Sequence, residues 1–193
     1  MKAVPISRRG IEATLPKVAE GLEQYLSLQA ELPLTNVANV GCDFQRRFNR
    51  FNRVRRDAAW RSAFYGLLEK GKSKRPTLAA VLRSLHRVAG RVEASFASKL
   101  IATLDPSQPV IDSKVFRILR LSLPPRTETT DRRIDGVVAR RDELASGYAA
   151  FLKTETGRFL VRRFREQYPR TGLTEVKMLD LILWKAERTD RPR

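Results

Sequence analysis

From Leu15 to Trp184 the apolar residues of this chain recur at intervals of three and four. Nowhere do they alternate with polar residues for long enough to demand a strand. Phe44, Phe48 and Phe51 fall at i, i+4, i+7, and Val92, Phe96, Leu100 and Leu104 at four-residue steps. Val176, Leu179 and Leu183 repeat the pattern near the end. A chain with this one period buries its apolar stripes by packing helix on helix, so the expected fold class is all-α. The spacing predicts a helix over Ser7–Leu32 interrupted near Pro16, further helices over Asp43–Arg56, Ala58–Leu68, Leu78–Val88, Val92–Leu104 and Ile134–Leu152, one around Phe159–Phe164, and a last one capped by Thr174. Glu69–Pro76 reads as a polar basic loop, and Lys185 onward as a charged tail. No internal repeat or low-complexity segment breaks the series.

The helices must carry a large charge imbalance. Lys and Arg number 38 against 21 Asp and Glu, a net charge of +17 with a pI near 11.0. A folded domain tolerates that self-repulsion poorly unless a polyanion shares its surface. DNA is therefore the first partner to consider, through the phosphate backbone of the duplex, and an anionic membrane the second. No window approaches a membrane span, and Met1-Lys2-Ala3-Val4-Pro5 has no apolar signal core, so a cytoplasmic protein is expected. At 193 residues the chain is one domain, or two lobes sharing a chain.

The densest cationic surface is Asp43–Arg56. Arg46, Arg50 and Arg53 share helical spacing on a face away from the phenylalanines, with Arg47 alongside. Such a face gives salt-sensitive affinity for phosphates without reading sequence; the alternative is a solvated helix whose arginines pair with acids elsewhere. The phenylalanines themselves read as core. Cys42 is the only cysteine and His86 the only histidine. No Cys/His zinc site and no iron–sulfur cluster can be built from that stock, and no metal or cofactor is expected. Cys42 reads as a small filler and His86 as structural or solvent-facing. No P-loop, dinucleotide fingerprint or metal-nuclease carboxylate cluster is present.

The most informative stretch is Gly90–Leu121. A helix ends at Asp105-Pro106, Gln108-Pro109-Val110-Ile111 is short and extended, and Asp112-Ser113 opens the next helix before Val115, Phe116, Ile118 and Leu119. An acid is thereby placed at a helix start, with Lys99 on the helix before it. The segment Pro109–Leu119, an apolar-Asp pair opening a helix of alternating apolar and basic residues, resembles the corresponding segment of helix-hairpin-helix DNA glycosylases, the endonuclease III and 8-oxoguanine DNA glycosylase superfamily. The whole-chain pattern also resembles uncharacterised bacterial proteins described as having that fold.

The resemblance implies a single glycosylase-like helical bundle over residues 1–193, or two helical lobes with 42–121 as the central part. It implies a catalytic aspartate at Asp112. It also implies a phosphate-gripping hairpin before the preceding helix, where the family reads roughly Leu-Pro-Gly-Val-Gly-x-Lys. This chain has Ala89-Gly90-Arg91-Val92-Glu93-Ala94-Ser95, with one glycine where two are expected and a carboxylate in place of the second. The family's lyase lysine falls near Ser95, and Lys99 lies one turn later on the same face.

A glycosylase takes its target nucleotide out of the stack and stabilises positive charge on the sugar as the base leaves. Asp112 is the candidate for that electrostatic role, or for activating water. Lys99 is the candidate amine nucleophile that would add strand-cleaving activity. Arg46, Arg47, Arg50, Arg53, Arg91 and Lys114 are the expected DNA contacts. Trp60, Tyr65, Asp180 and Trp184 are the expected lining of a base pocket. The bland alternatives stand beside these readings. Asp112 can be a helix cap alone, Lys99 can pair with Asp112, Asp105 or Glu93, and Asp180, in an apolar run, is expected to find an arginine. The expected function is DNA binding with excision of a damaged or modified base. The alternatives are a DNA-binding module that keeps the fold without the chemistry, and a basic helical protein that docks on an acidic partner.

Overall fold

The computed structural model describes residues 4–186, all helix and connection without a strand among them. Helix α1 (Arg8–Thr14) is capped by the Ser7 hydroxyl, and a 3₁₀ turn (Leu15–Val18) carrying Pro16 bends the chain into α2 (Ala19–Glu31). The interruption falls where the proline placed it. Helix α3 (Asp43–Asn52) follows, then α4 (Ala58–Ser73) capped by Asp57, and α5 (Leu78–Ala89) capped by Thr77. Helices α6 (Ala94–Leu104) and α7 (Ser113–Leu119) flank the Pro-Val-Ile segment. The long α8 (Thr130–Leu152), α9 (Glu155–Gln167) and α10 (Glu175–Lys185) complete the chain.

Two expected boundaries move. The expected basic loop is mostly helix, because α4 runs on to Ser73. Glu69 pairs with Lys72 at 2.7 Å and accepts the Val37 N–H at 2.8 Å, while Lys72 donates to Thr35 O at 2.6 Å. These bonds tie the extra turn to the connection between α2 and α3, a long-range contact that local composition does not reveal. Helix α3 stops at Asn52, short of the expected Arg56, because Arg53 takes the left-handed conformation at φ 53°; Asp43, read as a helix cap, sits instead in the first turn and pairs with Arg46 and Arg47. The expected charged tail beyond Ala186 lies outside the described residues.

Helix α10 is the hub. Every residue from Lys177 to Leu183 is buried, and α1, the 3₁₀ turn, α7, α8 and α9 all pack on it. A second group forms where α4 packs on α5 and α6, joined to the first through α2 on α3 and α5 on α8. One continuous cluster of buried side chains runs through both, from Val4 to Leu183. No helix among the described residues is long and apolar enough to cross a membrane.

Two glycines fix how the helices meet. Gly90 ends α5 at φ +64°, the left-handed conformation that a Cβ disfavours, so the chain reverses into α6 within four residues. Gly157 lets the first turn of α9 rest on the end of α8; a Cβ there would overlap Phe151 O and lie 2.7 Å from Leu152 Cα. Gly157→Ala is therefore expected to destabilise the protein by about 1–3 kcal/mol. Urea unfolding followed by circular dichroism measures it, and a stability equal to wild type would contradict this packing.

Candidate active site

The connection between α6 and α7 has no regular structure, yet its backbone is held on both sides. Asp105 accepts from the Ser107 N–H at 3.0 Å and the Ser107 hydroxyl at 2.6 Å, closing the first turn. Thr174 donates its hydroxyl to Pro106 O at 2.6 Å, and Arg141 of α8 donates to Gln108 Oε1 at 2.7 Å. The Val110 N–H donates to Asp180 Oδ2 at 3.2 Å, and the Ile111 N–H to Ser98 Oγ of α6 at 2.9 Å. Backbone groups away from water need partners, and here they come from α6, α10 and the residue that caps α10, while α8 holds the Gln108 side chain. Asp112 follows directly from this clamped segment.

Asp112 is the N-cap of α7, its Oδ1 accepting the Lys114 N–H at 2.8 Å. The same carboxylate lines a cavity of about 540 Å³ together with Lys99, Arg53, Lys114, Lys177, Asp180 and Lys185. That size falls within the roughly 300–1,000 Å³ typical of small-molecule sites. Five cations and two acids thus share one concavity. Its aromatic members are Tyr25, Phe48, Phe51, Phe96 and Trp184, with Phe51 and Trp184 meeting edge to face at 5.8 Å between centroids. Helices α2, α3, α6, α7 and α10 each supply part of the wall, so the cavity lies where the two helical groups meet.

Among the described residues Lys99 makes none of the ion pairs open to it in sequence. Asp105 pairs with Arg75 at 3.8 Å, and Glu93 with Arg56 at 3.0 Å and Arg91 at 2.8 Å. Lys99 instead donates to Asn52 O, a terminal carbonyl of α3, at 3.2 Å, and lies 5.4 Å from the centre of the Phe96 ring. Burial lowers its pKa from the ordinary lysine value, and Arg53 pushes the same way while Asp112 opposes both. A carboxylate beside an amine of reduced basicity can stabilise a developing cation on one side and offer a nucleophile on the other.

Asp180 and Trp184 line the cavity, and the partner of Asp180 differs from the expected arginine. It is Lys177, one turn earlier on α10 at 3.4 Å, with the Tyr148 hydroxyl donating at 2.9 Å. No arginine among the described residues is involved, because α10 is covered on the relevant side by α8 and the Pro-Val-Ile segment. Lys177 and Asp180 are each only 6% exposed. Burial pushes the Asp180 carboxyl up, against Lys177, Tyr148 and the Val110 N–H. Trp60 and Tyr65 do not reach the cavity. They are 1% and 0% exposed within the α3–α4–α6 packing, where Trp60 stacks on Phe64 at 5.1 Å and the Tyr65 hydroxyl donates to Asn49 Oδ1 at 2.7 Å. Trp60 turns toward Phe96 of α6 and Tyr65 toward Phe48 and Asn49 of α3, a choice that helical spacing alone does not specify.

The arginines divide. Arg46 pairs with Asp43 at 2.9 Å, Arg47 with Glu31, and Arg91 with Glu93, whereas Arg50 and Arg53 make no ion pair among the described residues. Arg53 sits at φ 53° as the C-cap of α3, on the cavity wall. Glu93 is buried at the start of α6, where Arg56 and Arg91 converge on it. The hairpin of this chain thus holds its own anion. Sequence reasoning missed Tyr25, Phe96, Lys177 and Lys185 as cavity residues. The one signal for Lys177 was its i, i+3 spacing from the anomalous Asp180.

Comparison with protein-family models, with curated proteins and with solved structures finds no match to this chain. What can be said of the site rests on its own chemistry. The reduced basicity of Lys99 is expected to show as reductive methylation with a pH midpoint below that of a free lysine side chain. Asp112→Asn, which removes the opposing carboxylate, should lower that midpoint further. Mass spectrometry of the methylated peptides reads both, and a Lys99 midpoint at the free-lysine value would contradict the burial.

Proposed function

We propose that this protein binds duplex DNA and excises a damaged or modified base, with Asp112 stabilising the sugar cation. The observation that carries the reading is the convergence of Asp112 and Lys99 on one cation-lined, aromatic-walled cavity. The pocket is large enough for an extruded nucleotide, its aromatic walls can stack on a flat ring, and its cations suit a phosphate that enters with the base. The resemblance of Pro109–Leu119 to the helix-hairpin-helix glycosylases points the same way, since it too singles out Asp112. The helix cap does not compete with this role. A carboxylate has room for several donors, so one oxygen can hold α7 while the other faces the cavity.

A second reading is a DNA-binding module without the chemistry. It is favoured by Glu93, which already occupies Arg56 and Arg91 in the hairpin. In either case Arg50 and Arg53 are the first candidates for phosphate contact, because no acid among the described residues pairs with them.

Duplexes each carrying one modified base, incubated with the protein and then heated in alkali, test the enzymatic reading. Strand scission is expected for at least one of them, and Asp112→Asn should slow it on the order of a hundredfold or more. Asn caps a helix as well as Asp does, so the variant isolates the charge. Scission unchanged in Asp112→Asn would remove the aspartate from the mechanism, and none with any base would leave the binding module. Separately, Arg50→Ala with Arg53→Ala should weaken binding to an unmodified duplex. The slope of log K against log salt should fall by roughly one unit for each phosphate that an arginine no longer neutralises. An unchanged slope would place the DNA-binding surface elsewhere.

A further inference from the structure

We propose that the buried pair of Lys177 and Asp180, in the cavity lining shared with Phe51 and Trp184, selects bases that present an exocyclic hydrogen-bond acceptor and rejects those that present an amino group in its place. The inference rests on the base-excising reading of the site and adds to it the class of base.

It follows from a count of donors and acceptors. Lys177 carries three N–H groups and no acceptor. Among the described residues it uses one of them, on Asp180 Oδ2 at 3.4 Å, although the residue is 6% exposed. Its Nζ lies 5.1 Å from the centre of the Tyr25 ring, a contact that favours the cation and satisfies no N–H. Asp180 already receives Lys177, the Val110 N–H and the Tyr148 hydroxyl, so its oxygens have little left to offer. Tyr25 is 7% exposed, and its buried hydroxyl has no partner among the described residues. This part of the lining therefore holds a surplus of donors around a buried cation. A buried polar group without a partner is costly, so an occupant lowers the energy of the site when it brings acceptors.

The walls restrict the shape of the occupant. Phe51 stands edge-on to Trp184, and Tyr25 tilts against Phe51 at 6.5 Å between centroids. A flat ring fits that lining, with its edge directed at Lys177. An exocyclic oxo group accepts from the ammonium. An exocyclic amino group in the same place sets donor against donor and leaves Lys177 unsatisfied. Hypoxanthine against adenine and uracil against cytosine set an oxo against an amino group at C6 or C4, the adjacent ring nitrogen changing from N–H to unprotonated at the same time, so each pair asks whether Lys177 reads the exocyclic group.

The test uses Asp112→Asn protein, so that binding is read without excision. Its binding to duplexes carrying hypoxanthine, adenine, uracil or cytosine at one position, opposite an abasic site so that pairing contributes nothing, is measured by fluorescence anisotropy. The oxo member of each pair is expected to bind about tenfold more tightly. In a background that also carries Lys177→Met and Asp180→Asn, which removes both buried charges together, the ratio of the two affinities within each pair should fall to near one. If this variant does not fold, Lys177→Gln with Asp180→Asn serves in its place and should reduce the ratio in the same direction. Equal binding within each pair, or preference for the amino member, overturns the inference. A wild-type protein that still releases a base from the lesion panel would in that case leave the excision reading standing. A preference that survives the loss of Lys177 overturns its assignment to this residue. Failure to bind any duplex overturns the inference and the DNA-binding reading together.

Discussion

The structure turns on one buried ion pair. Lys177 and Asp180 lie a single turn apart on α10, in a stretch where every neighbouring side chain is buried. Taking two charges out of water costs several kcal/mol per ion, and the cost is tolerated only where further hydrogen bonds finish the job. Here they come from elsewhere in the chain: Tyr148 on α8 and the backbone of Val110 both donate to the same carboxyl. Asp180 therefore joins the hub helix, the long α8 and the segment that delivers Asp112. The element that looks least ordered, the connection before α7, is thereby fixed by the most deeply buried charge.

The scarcity of acids explains the distribution of positive charge. With 21 acids against 38 bases, each carboxylate that folds the chain removes a cation from the free surface. Glu93 gathers Arg56 and Arg91 at the start of α6, Asp43 and Glu31 hold Arg46 and Arg47, and Glu69 holds Lys72 to the α4 terminus. Near the end of α3, Arg50 and Arg53 have no acid paired with them among the described residues. Beside them the cavity gathers the ammonium groups of Lys99, Lys177 and Lys185. Five cations around two carboxylates leave the cavity with a net positive charge, so like charges repel across it.

Local signals were enough for most of the helices. Thr77, Thr174 and Asp112 cap where their position before an apolar run placed them; Pro16 interrupts a helix through its fixed φ, and Gly90 ends one through its freedom to take a left-handed φ. The all-α class follows from a period that only helices satisfy. Local signals failed where a distant segment supplied the stabilisation, as for the last turn of α4. They also failed for Trp60 and Tyr65, whose aromatic character suits a pocket and a core equally well.

For the site, the resemblance of Pro109–Leu119 to the glycosylase segment singled out Asp112 and Lys99, Asp180 stood out as an acid in an apolar run, and Trp184 was an aromatic beside it. All four line one cavity. The sequence was silent on Tyr25, Phe96 and Lys177, since on a helical wheel they are indistinguishable from core or surface. The sequence by itself determined the helices, their caps and the excess of positive charge, which depend on residues near one another along the chain. Only the tertiary structure decided which cations meet in a cavity and which acid holds Lys177. Those contacts join helices far apart in sequence, and the choice among many possible partners is made by packing.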